Sequence, residues 1–471
     1  MKKLGVKIVV FCLACAFAFS LTACGGGKGG SDGTVWVSVL DKGFGSEWVR
    51  AVAAEYKKDT GITVEVSADP DLANTVQTKM GTAAEKDDLY FATFTTQNMN
   101  KWTKNKWLAS TDDVLADTTY GTSASSRAMD DMLLKLGKAG DVTYSVPYIY
   151  SNWGMIYNQE LLDKIESNGA YTKGQFPATV QGLIDLCAAI KSAELTNTRT
   201  GRTVSPFSCG LSVNYMDNLF FALWYQIDPA GWRAFFDQND ASAFNESTFD
   251  NEATKQAMEW VYKLMKPTPS TDNLVSTTQN HVEAQTSFVN GDCVFTFCGT
   301  WFETEMKKTL ADTGMTSHRY TAYPTIAGGD KLYSQPNLPG ESFFIPSDAL
   351  NVEGAKDFLA YLMSEKGVAI ASQTISQPVC FTTDRETNFT AFGEDIRTAV
   401  TNSEKLYRFS ENDVFKTGAC TLFQSQTNPF VAISRITNTT DTSAAIASRY
   451  VKSEARAIKD AWKTFTRVLD D

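Results

Sequence analysis

TVWVSVLDKGFGSEWVRAVAAEYKKDTGITVEV, residues 34–66, decides the fold. Thr34 to Leu40 is a β-type run of apolar and small residues. Beyond the turn Asp41-Lys42-Gly43-Phe44, the residues Trp48, Val49, Val52, Ala53 and Tyr56 fall on one helical stripe, with Ser46 placed to cap the start and Gly61 to stop the end. Ile62 to Val66 then alternates as a strand. A second helix, roughly Leu72 to Ala84, leads to a strand at Leu89 to Phe94. Strand, helix, strand, helix, strand predicts an α/β fold with a parallel sheet and helices on both of its faces.

Upstream, Lys2, Lys3 and Lys7 precede an apolar stretch from Ile8 to Ser20 and the small-residue sequence Leu21-Thr22-Ala23-Cys24. The run is short of the roughly 20 residues that span a bilayer, so it reads as a secretory signal. Leu-Thr-Ala-Cys resembles a bacterial lipobox, in which the chain is cut before a cysteine whose thiol carries lipid. Residues 1–23 are therefore expected to be a lipoprotein signal peptide. Residues 24–33 form a flexible glycine-rich tether, and Cys24 is the lipidation site on the extracytoplasmic face of a bacterial membrane. No later segment offers 18 consecutive apolar residues.

The net charge of −11 becomes more negative once the three signal lysines are removed, which disfavours nucleic acid as a partner. Only two histidines occur, His281 and His318, neither with ligand-type spacing, so neither a metal, a cofactor nor a histidine-based catalytic centre is expected. Cys293 and Cys298 sit five apart on a strand, on opposite faces and about 17 Å apart. A disulfide needs Cα atoms under about 7 Å, so these two should not pair. Pairing among Cys187, Cys209, Cys380 and Cys420 is not fixed by sequence.

A chain of 471 residues is too long for one core, so two or more lobes are expected. In the second half, Ala253, Ala257, Trp260, Val261 and Leu264 form a helical stripe ended by Pro267. Cys293 to Cys298 is a buried-type strand and Tyr320 to Tyr323 another. Val352, Ala355, Phe358, Leu359 and Leu362 mark a helix stopping near Gly367. Ile446, Tyr450, Ala455, Ile458, Trp462, Phe465 and Leu469 mark a long closing helix.

Several blocks together carry a family resemblance: Thr60-Gly61-Ile62-Thr63-Val64-Glu65-Val66, Asp87-Asp88-Leu89-Tyr90-Phe91, Tyr144-Ser145-Val146-Pro147, Ile156-Tyr157-Asn158-Gln159-Glu160-Leu161-Leu162, Phe288 to Cys293 running into Cys298-Gly299-Thr300-Trp301, and Leu338-Pro339-Gly340 leading to Ile345-Pro346. In this order and behind a lipobox, they resemble family 1 bacterial extracellular solute-binding proteins, the lipoprotein receptors of carbohydrate-type ABC importers. The resemblance implies a two-lobed periplasmic-binding-protein fold with interleaved lobes joined by hinge strands and one ligand in the cleft. The expected lobes are residues 34–148 plus 324–372 and residues 149–323 plus 373–471. A monomer that partners permease subunits of an ABC transporter is also implied.

Within that frame the resemblance makes Trp301 the leading ligand contact, an indole face matching the C–H face of a pyranose. VPYIYSNWGMIYN, residues 146–158, falls at the first lobe crossing. On a strand, Tyr148, Tyr150 and Asn152 share one face and Ile149, Ser151 and Trp153 the other. Tyr150, Ser151 and Trp153 are candidates, with Ser151 standing where some sugar binders present a carboxylate. Tyr157 and Asn158 read as structural, leading into the helix from Gln159. Asp41, Lys42 and Phe44 form a turn resembling one that reaches sugar hydroxyls, or else a plain solvated turn. Thr95 and Thr96 stand where maltose-type members carry charged ligands, which argues against maltose itself. Glu341, before the strand at Phe343, can bring a carboxylate to the cleft. Trp224 follows Tyr215 as a candidate, though its helical spacing with Leu219 and Phe220 favours core, as sheet core is also favoured for Trp36. The alternatives are a surface glycoside hydrolase using a carboxylate pair, or the same fold binding a peptide or polyamine.

Overall fold

The computed structural model describes residues 33–120, 133, 137–167, 171–210, 215–238, 244–267, 272–276, 278–328, 332–336, 340–381, 387–408 and 441–470. The signal, the tether, Cys24, Cys420 and Leu338-Pro339 lie outside the described residues. The strands are β1 (Val35–Leu40), β2 (Val64–Asp69), β3 (Leu89–Ala92), β4 (Lys138–Ala139), β5 (Val142–Thr143), β6 (Ser145–Pro147), β7 (Asn152–Asn158), β8 (Ser205–Ser208), β9 (Cys293–Gly299), β10 (His318–Thr321), β11 (Leu332–Pro336), β12 (Ser342–Phe344) and β13 (Ser403–Lys405).

In the first lobe, β1 pairs in parallel with β2 and β3, Val37 opposite Val66 and Val39 opposite Phe91. The helix Glu47–Thr60 between β1 and β2 buries Trp48, Val49, Val52, Ala53 and Tyr56, the stripe read from sequence. Gly61 ends it at φ +79°, a left-handed conformation that glycine adopts without Cβ strain, and its N–H donates to the Lys57 carbonyl at 2.9 Å. Ser46 occupies the cap position, but its side chain caps nothing. The next helix stops at Lys79, five residues early, because Met80 turns extended. Trp36, expected in the sheet core, is half-buried.

The parallel reading holds for the first three strands only. β12 runs antiparallel to both β3 and β6, giving the order β2-β1-β3-β12-β6. β12 enters from the other lobe, which reverses its direction, whereas β6 runs the same way as β3 and leads out to the other lobe.

The second sheet has the order β13-β11-β7-β9-β8, with β10 against β7. Its centre is β7, and beside it β9, buried along its whole length, runs antiparallel to β7 and parallel to β8. Cys293 and Cys298 stay unpaired on this strand, and Cys187 and Cys209 are also buried free thiols. Burial pushes the Cys293 thiol up to about 12, so it is a packing group with no nucleophilic character at neutral pH. The helices Asp217–Ile227, Pro229–Phe236, Glu252–Met265 and Ser443–Asp470 cover this lobe. Ala257, Val261 and Leu264 of the expected stripe are buried, and Ala253 and Trp260 lie partly buried at its edge. In the closing helix Ile446, Ala455, Ile458 and Trp462 are buried and Tyr450 partly so. The side chains of Phe465 and Leu469 lie outside the described residues.

Gly367 does not stop the helix Val352–Leu362. Ser364 opens a new helix, Glu365–Ile375, by accepting the Gly367 N–H at 3.0 Å. A Cβ at Gly367 would stand 2.3 Å from the Tyr361 carbonyl, so glycine lets the second helix start immediately after the first.

The chain passes between the sheets from β6 to β7, returns from β11 to β12, and leaves again between Ile375 and Ala391. Val379 bridges Ile149, and the Cys380 N–H donates to the Tyr148 carbonyl at 2.8 Å, so the first and third passages run side by side. The expected return at residue 324 falls too early. β11 pairs with β7 through Gln335 and Trp153, which keeps Leu332–Pro336 in the second sheet and puts the return between Pro336 and Ser342.

Candidate functional site

The end of β9 and the start of β7 build an aromatic wall. Trp153 meets Trp301 edge to face at 4.6 Å between ring centroids and 85°, and meets Tyr215 at 4.7 Å and 65°. Gly299 makes the Trp301 position possible, since a Cβ there would stand 2.0 Å from the indole. The indole therefore folds back over the end of its own strand. Thr300 fixes the loop to the crossing. Its hydroxyl donates to the Tyr150 carbonyl at 3.0 Å and accepts the Asn152 N–H at 3.2 Å, while its own N–H donates to the Asn152 carbonyl at 2.9 Å.

One helical turn beyond Trp301 stands Glu305, whose N–H donates to the Trp301 carbonyl at 2.9 Å. Its carboxylate accepts from the amide of the buried Gln285 at 2.9 Å. Burial pushes the Tyr215 hydroxyl pKa up, Cys298 and Glu305 push the same way, and a hydrogen bond from Trp301 opposes them. Neither Glu305 nor Tyr215 was singled out as a site residue from sequence. The Trp301 to Glu305 spacing, i to i+4 at a helix start, is the signal that could have found Glu305.

The first lobe answers with the turn after β1 and with Glu341. Gly43, at φ +58°, passes so close to Glu341 that a Cβ would lie 2.3 Å from its Oε1. The Phe44 backbone lies near enough to the Glu341 carboxyl to favour its charged form. Glu341 Oε2 is buried without a hydrogen-bond partner. Burial, with Glu305 adding like charge, holds the Glu341 pKa well above the usual carboxylate range. The lobes also touch where Lys307 Nζ meets Glu47 Oε2 at 2.6 Å. A cavity of about 430 Å³ opens between them, bordered by Asp41, Phe44 and Ser46 on one side and by Glu303, Thr304 and Lys307 on the other.

The structure places Asp41 and Phe44 on the cavity between the lobes, Glu341 against the turn at Gly43, and Trp153 and Trp301 together at the end of β9. Tyr150 and Ser151 are buried in the crossing itself, Tyr150 presenting its carbonyl to Thr300. Tyr148, on the same predicted face, is a first-lobe core ring, stacked on Trp48 at 4.9 Å with its hydroxyl donating to the Leu362 carbonyl at 2.6 Å. Tyr148 to Ser151 precede the strand, so the alternation expected from residue 148 begins only at Asn152. Asn158 caps the helix from Gln159, accepting the Leu161 N–H at 3.1 Å. Lys42 is exposed and contributes its carbonyl to the turn, accepting from Gly45 at 3.1 Å. Thr95 caps the helix Thr96–Lys104 by accepting the Asn98 N–H at 3.1 Å.

Trp224 is a correction. It is wholly buried among Phe220, Phe221, Phe235, Phe236 and Phe249, with centroids 5.3 to 6.5 Å away. No ligand reaches a ring enclosed on that many sides.

The model of a family described as bacterial extracellular solute-binding protein matches residues 51–387, most of the chain. The chain belongs to that family. No curated protein matches this solute-binding protein. Solved structures share its two-lobed fold. One, described as a probable secreted solute-binding lipoprotein from Streptomyces coelicolor, is 14% identical with a TM-score of 0.62, covering 90% of this chain and 99% of its own. The GacH receptor of Streptomyces glaucescens, solved unliganded and with acarbose, is 15% identical with a TM-score of 0.60, covering 91% and 98%. RafE from Streptococcus pneumoniae, solved with raffinose, is 12% identical with a TM-score of 0.62, covering 93% and 100%. Among the described residues, no helix of this solute-binding protein is long and apolar enough to cross a membrane, and no group of three or more acidic, histidine or cysteine side chains is placed to hold a metal.

Proposed function

We propose that this solute-binding protein captures a mono- or oligosaccharide between its lobes and delivers it to the permease of an ABC transporter. It does so as a monomer tethered through lipidated Cys24, with the lobes formed by residues 34–148 and 340–375 and by the remainder of the body. The observation that carries the reading is the Trp153, Trp301 and Tyr215 wall, whose Trp301 stands one helical turn before Thr304 and Glu305, where Thr304 borders the cavity that Asp41 and Phe44 of the first lobe also line. Aromatic faces pack on the C–H faces of sugar rings, and carboxylates and backbone groups read the hydroxyls. GacH and RafE, of the same fold, were solved with acarbose and raffinose, which supports a carbohydrate here.

Ligand that touches both lobes favours the closed arrangement, and the closed shape is what a permease can recognise. Ligand that binds only the native state also stabilises it by mass action. A thermal-melt screen of the purified protein against mono- and oligosaccharides should therefore raise the melting temperature with at least one sugar. No shift with any sugar removes the carbohydrate reading. A buried carboxyl beside a second carboxylate is also what glycoside hydrolysis requires. Recovery of the bound sugar unaltered after prolonged incubation is the outcome expected of a receptor, and release of shortened products would make the protein a hydrolase.

A further inference from the structure

The helix Glu47–Thr60 begins at the cavity between the lobes, and its start is left uncapped. Ser46 holds the cap position at φ −111° and ψ −7°, a helical conformation in place of the extended one that a capping serine adopts. Its hydroxyl makes no cap and joins no other hydrogen bond among the described residues, although Ser46 is only 8% exposed. The first-turn N–H groups of Glu47, Trp48 and Val49 have no intrahelical acceptor, and no other backbone carbonyl among the described residues takes them. This helix end borders the cavity of about 430 Å³, with Thr304 and Lys307 across from it on the second lobe. A Cβ on Gly45 would stand 4.0 Å from Thr304 Cγ2, and the next residue, Glu305, donates its N–H to the Trp301 carbonyl at 2.9 Å. The unused donors therefore lie across the cavity from the helical turn that carries Trp301.

The charged groups on the cavity are engaged with one another or with hydroxyls. Lys307 meets Glu47 at 2.6 Å, and Glu303 pairs with His318 at 3.0 Å and accepts from Thr390 at 2.9 Å. What remains is a serine hydroxyl and a row of backbone donors that need oxygen acceptors. A helix start on its own favours an anion. Here the cavity already carries the carboxylates Asp41, Glu47 and Glu303 against the single ammonium of Lys307, so a ligand carboxylate meets like charge. A sugar hydroxyl accepts from the N–H groups, donates to Asp41 and brings no charge. We infer that Ser46 and the first turn of this helix form a hydroxyl-reading subsite that selects a neutral sugar over an acidic one. This rests on the carbohydrate reading above and narrows it to uncharged sugars, with Ser46 as a specificity residue of the first lobe. The serine hydroxyl is withheld from the helix and kept for the ligand.

Calorimetric titration of the purified protein tests this with glucose, galactose and mannose, as monosaccharides and short oligomers, each set against its uronate counterpart. At least one neutral sugar should bind about ten or more times tighter than its uronate. Ser46→Ala should weaken that sugar roughly three- to tenfold, the worth of one hydrogen bond, and leave the melting temperature of the sugar-free protein unchanged because no cap is lost. Thr304→Leu, at a partly exposed position, narrows the same cavity from the second lobe and should weaken the sugar independently. Unchanged affinity in both variants would overturn the subsite while leaving the carbohydrate reading intact. A lower melting temperature in sugar-free Ser46→Ala with unchanged affinity would return the hydroxyl to the helix and overturn its assignment to the ligand. A uronate bound as tightly as its neutral counterpart would overturn the selection for uncharged sugars. Binding of no sugar would overturn both this inference and the carbohydrate reading.

Discussion

Trp224 and Trp301 belong to the same lobe, and both are more than nine-tenths buried, yet their surroundings are opposite. Around Trp224 every packed ring is apolar, and the helices Asp217–Ile227 and Pro229–Phe236 close over it. Around Trp301 the neighbours are Tyr215, Trp153, a glycine that makes room, and a helical turn ending in Glu305, with the other lobe's Glu341 within electrostatic reach of that glutamate. The first is a ring used for cohesion. The second, under the proposed function, is a ring held ready for ligand. Aromatic density alone does not separate the two, whereas the polar groups sharing the space do.

The largest effect should come from Trp224→Ala. Removing a fully enclosed indole costs about 3 to 5 kcal/mol, read as a lower denaturation midpoint, while the folded fraction should keep its sugar affinity. A loss of affinity at full folding would move Trp224 into the site and break the contrast. Trp301→Ala should do the reverse in emphasis. It should remove the sugar-induced melting shift altogether and cost less stability than Trp224→Ala, because its indole packs on Trp153 at the end of a strand and not inside a shell of five phenylalanines.

The core around Trp224 also carries a pH signature. Burial pushes Asp217 up to about 6, with Arg408 at 3.5 Å pulling the other way. An unfolded aspartate titrates at about 3.9, so the native state holds this proton to a higher pH. The resulting stabilisation is present below about pH 4 and is lost as pH rises through about 6. Relative to Asp217→Asn, the wild-type protein should lose roughly 2 to 3 kcal/mol between pH 4 and pH 7 in chemical denaturation. A constant difference would show that Asp217 is not titrating in the native core.

The smallest effect belongs to the contact that joins the lobes. Lys307 and Glu47 are both well exposed, and such pairs are worth no more than about 1 kcal/mol and weaken in salt. Lys307→Ala should therefore change sugar affinity by only about threefold, and salt should erase the difference. A much larger loss would make the ion pair a true latch.

How much of this was legible in sequence depends on how local the cause is. The first helix followed from its stripe and from Gly61, whose left-handed conformation is a property of one residue. The buried strand β9 and the unpaired Cys293 and Cys298 followed from strand periodicity. The antiparallel β12 and the late return after Pro336 did not, because pairings such as Gln335 with Trp153 join residues far apart in the chain. Ser46 was well chosen as a residue type, but its hydroxyl caps nothing. Of the candidate site, Trp301 and Trp153 were picked through their family setting, and the structure puts their rings side by side. Trp224 was kept as a candidate although its helical spacing favoured core, and the core reading is the one the structure bears out. Glu305 was signalled only by its spacing from Trp301, and Tyr215 became visible only through its packing on Trp153 across the fold.

The central claim is that sugar is held between the lobes on the Trp301 wall. Isothermal titration of the sugar that gives the largest melting shift, into the wild-type protein and into Trp301→Ala, tests it most directly. The account predicts saturable one-to-one binding to the wild type and no measurable heat with the folded variant. Equal affinities in the two proteins would contradict it.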